Sequence, residues 1–125
     1  MKKIIYEGIV FNEPDFHEVH IYRSKTDRAM LKGLLIKRPC EICGDTEVHA
    51  HHENYADYLN VRWLCPIHHK KIHSIFNKIK REENNKIVGD RLLKENPDSL
   101  FWEISHRNTC EALQELYEKY APINA

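Results

Sequence analysis

The apolar positions change period several times along the chain. From Lys2 to Phe11 the run Lys-Lys-Ile-Ile-Tyr-Glu-Gly-Ile-Val-Phe is dense in β-branched and aromatic residues, which predicts a strand. Pro14 ends it, and Phe16 to Tyr22 alternates enough at Val19 and Ile21 to predict a second short strand. Ser24 is suited to cap a helix that ends at Gly33, with Ala29, Met30 and Leu34 inward and Lys25, Arg28 and Lys32 outward. A hairpin is expected between Val48 and Leu64. The period then lengthens to that of a helix. Cys65 sits at the cap, Pro66 fits the first helical position, and Ile72, Ile75, Phe76 and Ile79 form an inward stripe that should fray near Asn84-Asn85. Beyond Gly89-Asp90 come a short apolar piece at Leu92-Leu93 and a turn at Asn96-Pro97-Asp98. A last helix follows, with Cys110, Leu113, Leu116, Tyr117 and Tyr120 on one face, and Pro122 closes it.

Composition narrows the class without naming it. With 125 residues, 42% of them hydrophobic and 30% charged, the chain reads as one ordinary soluble domain. No apolar run approaches the roughly 18 residues a bilayer span needs, which argues against a membrane partner. The N-terminus has two lysines but no apolar stretch of a secretory signal, so a cytoplasmic, reducing location is expected, where cysteines bind metals more often than they pair. The formal net charge is zero. Its distribution is not even: Arg23 to Arg38 holds six basic residues against Asp27 alone, and Arg62 to Arg81 holds six with no acid. Two basic blocks around the middle of the chain suit a polyanion-binding face.

The chemistry is concentrated between Cys40 and His73, where three of the four cysteines and six of the nine histidines fall. Cys40-x-x-Cys43-Gly44 has the form of a zinc knuckle, with Cys65-x-x-His68 as its second half and His69 a competitor for the fourth position. Three thiolates and an imidazole make a closed structural site. Cys110 is left over and is read as a core thiol, and His17 and His20 as surface or packing residues. His69 and His73, at i and i+4, share a helix face, and His51 ends the strand opposite them. Three imidazoles would leave a divalent ion open positions, as catalytic metals require. Such a set favours zinc, nickel or manganese, with magnesium the oxygen-preferring alternative. His52 faces the other way along the strand and is suited to take a proton from water near neutral pH. Tyr55, Tyr58 and Trp63 are assigned to the local core, while Asp57 and Glu53 are expected to be solvated, with Glu53 near enough to His52 to orient it.

The order His51-His52, then Asn60-Val-Arg-Trp-Leu-Cys65, then His68-His69-Lys-Lys-Ile-His73 resembles the HNH endonuclease family, especially its small phage-type members, over about residues 24–73. The resemblance implies an α+β fold in which a ββα-metal (His-Me finger) core, residues 24–85, is held on a treble-clef-like zinc knuckle. A short N-terminal β extension (1–23) and a C-terminal helical extension (86–125) would complete one domain. It implies His51 as metal ligand, His52 as general base, Asn60 as the residue that positions that base, and His69 and His73 as the closing ligands. The expected activity is metal-assisted hydrolysis of DNA phosphodiesters, by nicking or double-strand cleavage. Arg62, Lys70 and Lys71, with Arg28 and Lys32, would hold neighbouring phosphates. A phage packaging or mobile-element partner is compatible with that type. The competing expectations are a non-catalytic zinc-knuckle DNA-binding protein and a nuclease for RNA or structured junctions.

Overall fold

The structure, a computed structural model, describes residues 3–14, 19–54 and 56–120, with the side chains of Val19 and His20 left aside. It is α+β, with two small two-stranded sheets and three helices. The N-terminal apolar run is a hairpin, not the one strand expected over residues 2–11. β1 (Lys3–Tyr6) pairs antiparallel with β2 (Ile9–Asn12), from Lys3 opposite Asn12 to Tyr6 opposite Ile9. Glu7 and Gly8 between them both have positive φ, 51° and 75°. A two-residue turn matched to strand twist requires that, and glycine supplies it at the second position without steric cost.

The second strand expected over 16–22 is corrected to helix from Val19 onward; Phe16, His17 and Glu18 lie outside the described residues. α1 spans Val19–Leu31, so Ser24 is inside it and not at its cap. Its helical period was masked by a polar residue. Tyr22, Thr26 and Ala29 fall at i, i+4 and i+7, and Thr26 is buried at 3% exposure. The helix ends as expected at Gly33 (φ 76°), whose N–H reaches the Met30 carbonyl at 3.1 Å while the Leu34 N–H reaches the Ala29 carbonyl at 2.9 Å. Leu34 itself is 66% exposed and not inward, because the chain reverses direction at Gly33.

β3 (His49–His51) and β4 (Arg62–Leu64) form the central hairpin, in register His49 to Leu64, Ala50 to Trp63 and His51 to Arg62. α2 follows directly, from Pro66 to Glu95. It does not fray at Asn84-Asn85, and Leu92-Leu93 belong to it. The second half is held by α3 (Leu100–Tyr120), which runs back along it: Tyr117 Oη donates to Glu83 at 2.6 Å, and His106 pairs with Asp90. Gly89 reads as a helix breaker in isolation, yet it serves close approach here. A Cβ at that position would lie 2.7 Å from His106 Cδ2. The intervening turn begins at Asn96, whose N–H bonds the Leu92 carbonyl, and Ser99 Oγ caps α3 by accepting from the Trp102 N–H.

One contiguous core runs from Ile4 and Phe11 through Val48, Trp63 and Leu64 to the α2 stripe Ile72, Ile75, Phe76 and Ile79, and on to Leu113 of α3. Cys110 is not part of it. Its thiol is half-buried, 3.6 Å from His106 Nδ1. Among the described residues no helix is long and apolar enough to cross a membrane.

Candidate metal centres

The first centre is built by a turn and a helix start. Gly44 (φ 77°) closes the knuckle, with its N–H on the Cys40 carbonyl at 2.9 Å, and the Glu41 N–H ties the turn to Trp63 of β4 at 3.0 Å. Cys65 caps α2, its sulfur accepting the His68 N–H at 3.4 Å, and this places residues 65 and 68 on one side. The three sulfurs and the imidazole of Cys40, Cys43, Cys65 and His68 each present a ligand atom within 4.8 Å of the others. Cys43 and Cys65 sulfurs stand 3.7 Å apart, and His68 Nδ1 lies 3.2 Å from the Cys65 sulfur and 3.8 Å from that of Cys40. Thiolates bonded to zinc at about 2.3 Å in a tetrahedron are separated by about 3.8 Å, so the Cys43–Cys65 spacing fits zinc. His68, not His69, is the histidine grouped with the three cysteines.

The thiols are tuned unequally. Burial raises Cys40, but the N–H groups of Cys43, Cys65 and Ile42 outweigh it and bring the pKa down to about 6. At Cys43 the Asp45 N–H lowers the pKa, yet burial and the neighbouring sulfurs of Cys40 and Cys65 leave it raised. The Cys40 thiolate thus forms readily near neutral pH, and a bound cation would favour that of Cys43.

The second centre joins β3 to α2. His51, His69 and His73 bring their ring nitrogens within 4.8 Å of one another, with ring centroids 5.1 Å (51 to 69), 5.0 Å (51 to 73) and 4.7 Å (69 to 73) apart. His51 is fully buried, and among the described residues neither of its ring nitrogens has a hydrogen-bond partner. Burying such a group unpaired costs on the order of 1–3 kcal/mol, so a native structure retains it only for a reason. Neutral imidazoles facing one point are the donor set a divalent transition ion takes. All three are held neutral. Burial first, then the charges of His73, His69, Arg62 and His52, push His51 down to about 3. Burial, then His73, His49, Arg23 and His52, push His69 down to about 4. Burial and Arg23 lower His73. The residues therefore fit a metal.

Two neighbours of this centre were not singled out from the sequence. His49 Nδ1 lies 3.4 Å from His69 Nδ1, on the side of that ring away from His73, where an outer partner orients a ligand. Phe11 of the N-terminal hairpin sets its ring edge-on to His51 at 6.4 Å. The N-terminal hairpin, which carries no visible chemistry in the sequence, thus packs through Phe11 against the buried His51.

His52 turns the opposite way, as strand alternation requires. It is 3% exposed and lines a cleft of about 300 Å³ whose walls include Arg23, Thr26 and Asp27 of α1 and His49 and His69 of the second centre. Its Nε2 lies 3.2 Å from the Tyr58 carbonyl and 3.1 Å from Thr26 Oγ1. Burial lowers its pKa, partly offset by the Tyr58 carbonyl, and Arg23 lowers it further, so the ring is neutral at pH 7. Asn60 is exposed; its N–H closes a turn on the Asp57 carbonyl at 3.0 Å, and among the described residues its side chain makes no hydrogen bond. Asp57 is solvated as expected, Trp63 is core, and Tyr55 lies outside the described residues.

The basic residues separate into two groups. Arg62 is engaged by protein partners. It pairs with Glu41 and Glu53 at 3.1 Å each, donates to the Val10 carbonyl and stacks over Phe11 at 4.1 Å. Glu53 is accordingly neither solvated nor set to orient His52; it binds Arg62 and the Asn12 N–H. Lys70 and Lys71 are exposed at the start of α2, and Lys70 shares a groove with His73, Asn77, Lys78 and Arg81. Arg28 and Lys32 are exposed on α1 near Tyr58. Arg23, exposed on the same helix, is the cation whose charge bears on His52, His69 and His73 together.

Comparison with protein-family models, with curated proteins and with solved structures finds no match for this chain.

Proposed function

We propose that this protein is a metal-dependent endonuclease of the HNH, His-Me finger type that hydrolyses DNA phosphodiester bonds. The observation that carries the reading is the buried His51, whose two ring nitrogens, without partners among the described residues, sit against His69 and His73 and one residue before a neutral, held His52. A zinc-knuckle DNA-binding protein has a use for Cys40, Cys43, Cys65 and His68 but none for a second set of converging imidazoles. The β3–β4 hairpin followed by α2 supports the ββα-metal core that the resemblance implies, and the knuckle supports its zinc platform.

In this reading His51, His69 and His73 hold a divalent ion, which when bound supplies charge stabilisation at the scissile phosphate and the departing 3′ oxygen. His52 removes a proton from the attacking water as that oxygen bonds to phosphorus. The bond to the 3′ oxygen breaks, that oxygen takes a proton from solvent water, and the product carries a 5′ phosphate. Arg23 at the cleft and Lys70, Lys78 and Arg81 along α2 hold neighbouring phosphates, with Lys71, Arg28 and Lys32 on the flanks. Arg62 instead buttresses the hairpin. Incubation with supercoiled plasmid and manganese, nickel, zinc or magnesium tests this. Wild type nicks the plasmid and His52→Ala, although folded, does not. Equal nicking by both would remove His52 from the reaction, and no cleavage of DNA, RNA or junctions with any ion would remove the activity.

A further inference from the structure

α1 precedes the knuckle and lies outside the hairpin and helix that carry the candidate ligands, yet it reaches the general base. Thr26 is a polar residue buried at 3% exposure, and its hydroxyl hydrogen has carbonyl partners, Tyr22 one turn back at 2.8 Å and, more distantly, Tyr58 at 3.4 Å. The oxygen therefore meets His52 Nε2, 3.1 Å away, with a lone pair. The Tyr58 carbonyl, 3.2 Å from the same nitrogen, can only accept. Were Nε2 without a hydrogen, the Tyr58 carbonyl oxygen would face its lone pair inside a buried site. With the hydrogen there, both contacts are satisfied and the lone pair of the neutral ring is on Nδ1.

We infer that Thr26 is a positioning residue for the hydrolysis: by accepting from Nε2–H it fixes the tautomer and orientation in which His52 presents Nδ1 as the base. The inference rests on the nuclease reading for its kinetic part only. Tyr58 belongs to the loop between β3 and β4, whereas Thr26 is locked into a helix by its own back-bond. The helix is thus the rigid half of the clamp. It would supply the support that the resemblance assigns to Asn60, which is exposed.

The test uses the full chain with zinc in its knuckle and two substitutions. Thr26→Val keeps the shape and removes the acceptor; Thr26→Ser keeps the acceptor. With manganese supplied, Thr26→Val is expected to lower kcat for plasmid nicking by roughly 10–100-fold at nearly unchanged KM, and Thr26→Ser to restore most of it. Nitrogen-15 NMR of His52 in the zinc form at pH 8 is expected to show the hydrogen on Nε2 in wild type and Thr26→Ser, and a mixed tautomer in Thr26→Val. Wild-type rates in Thr26→Val, or a wild-type ring protonated on Nδ1, overturn the inference. Should Thr26→Val fail to fold, the wild-type spectrum and Thr26→Ser still decide it. Should wild type cleave nothing, the nuclease reading falls while the spectrum judges the clamp independently.

Discussion

Nε2 of His69 and Nε2 of His73 stand 3.0 Å apart, one turn from each other on α2. Two nitrogens bound at about 2.1 Å to one ion are separated by about 3.0–3.4 Å, so the helix already holds this pair at a chelating spacing. His51 approaches from β3 and is fully buried, while His69 lines the cleft and His73 the α2 groove.

That burial leads to a prediction in which stability and function move in opposite directions. His51→Leu replaces an unpaired buried imidazole with an apolar side chain of similar size. In the absence of ion at this centre, thermal unfolding of His51→Leu is expected to be unchanged or stabilised by about 1–3 kcal/mol. The same variant is expected to bind nickel no better than background by calorimetry. A strongly destabilised variant would mean that His51 is an ordinary structural residue.

The knuckle is expected to behave differently. Cys65→Ser keeps a residue that caps helices well, so α2 retains its start and only the metal ligand is lost. Zinc binding in small fingers is worth on the order of 10 kcal/mol, comparable to the whole stability of a domain. Circular dichroism melts of this variant should lose cooperativity, and its zinc content should fall well below one per chain. A normal melt with zinc absent would remove the structural role of the site.

The pH dependence has a definite sign. His51 and His69 have folded pKa values of about 3 and 4, below their ordinary value, so the unfolded chain takes up protons first as pH falls. Their contribution is complete above pH 6.5 and is lost as pH drops toward 4, by up to about 1.4 kcal/mol per pH unit for each histidine. Thermal midpoints between pH 7.5 and 5.5 should decline in wild type with its knuckle zinc in place and decline less in His51→Leu. Parallel slopes would contradict the burial-driven shift.

Arg62 and Arg23 should separate by assay. Arg62→Ala leaves Glu41, Glu53 and the Val10 carbonyl without their partner, and a loss of about 1–3 kcal/mol is expected in denaturant unfolding. Arg23→Gln should leave unfolding unchanged but weaken DNA binding and reduce its salt dependence by about one phosphate contact. The opposite assignment of effects would return Arg62 to the substrate face.

What could be read from the sequence was what local spacing dictates. Cys40-x-x-Cys43 and Cys65-x-x-His68 are short-range patterns, and His69 with His73 follows from helix period alone. The α2 stripe of Ile72, Ile75, Phe76 and Ile79 was legible for the same reason. What escaped depends on partners distant along the chain. Arg62 meets Glu41 and the N-terminal hairpin, Thr26 meets His52, and α2 continues past Asn84-Asn85 because α3 packs on it. The buried Thr26 also broke the apolar period of α1, so a helix over Val19–Leu31 read in part as strand. The Glu7-Gly8 turn was missed because glutamate is not the usual residue at positive φ.

Native mass spectrometry that counts metal ions per chain tests the division between the two centres most directly. Two divalent ions are expected in wild type supplied with zinc or nickel, with one lost in His51→Leu and the tightly held zinc lost in Cys65→Ser. A single ion in wild type, or a second ion that survives His51→Leu, would contradict the account.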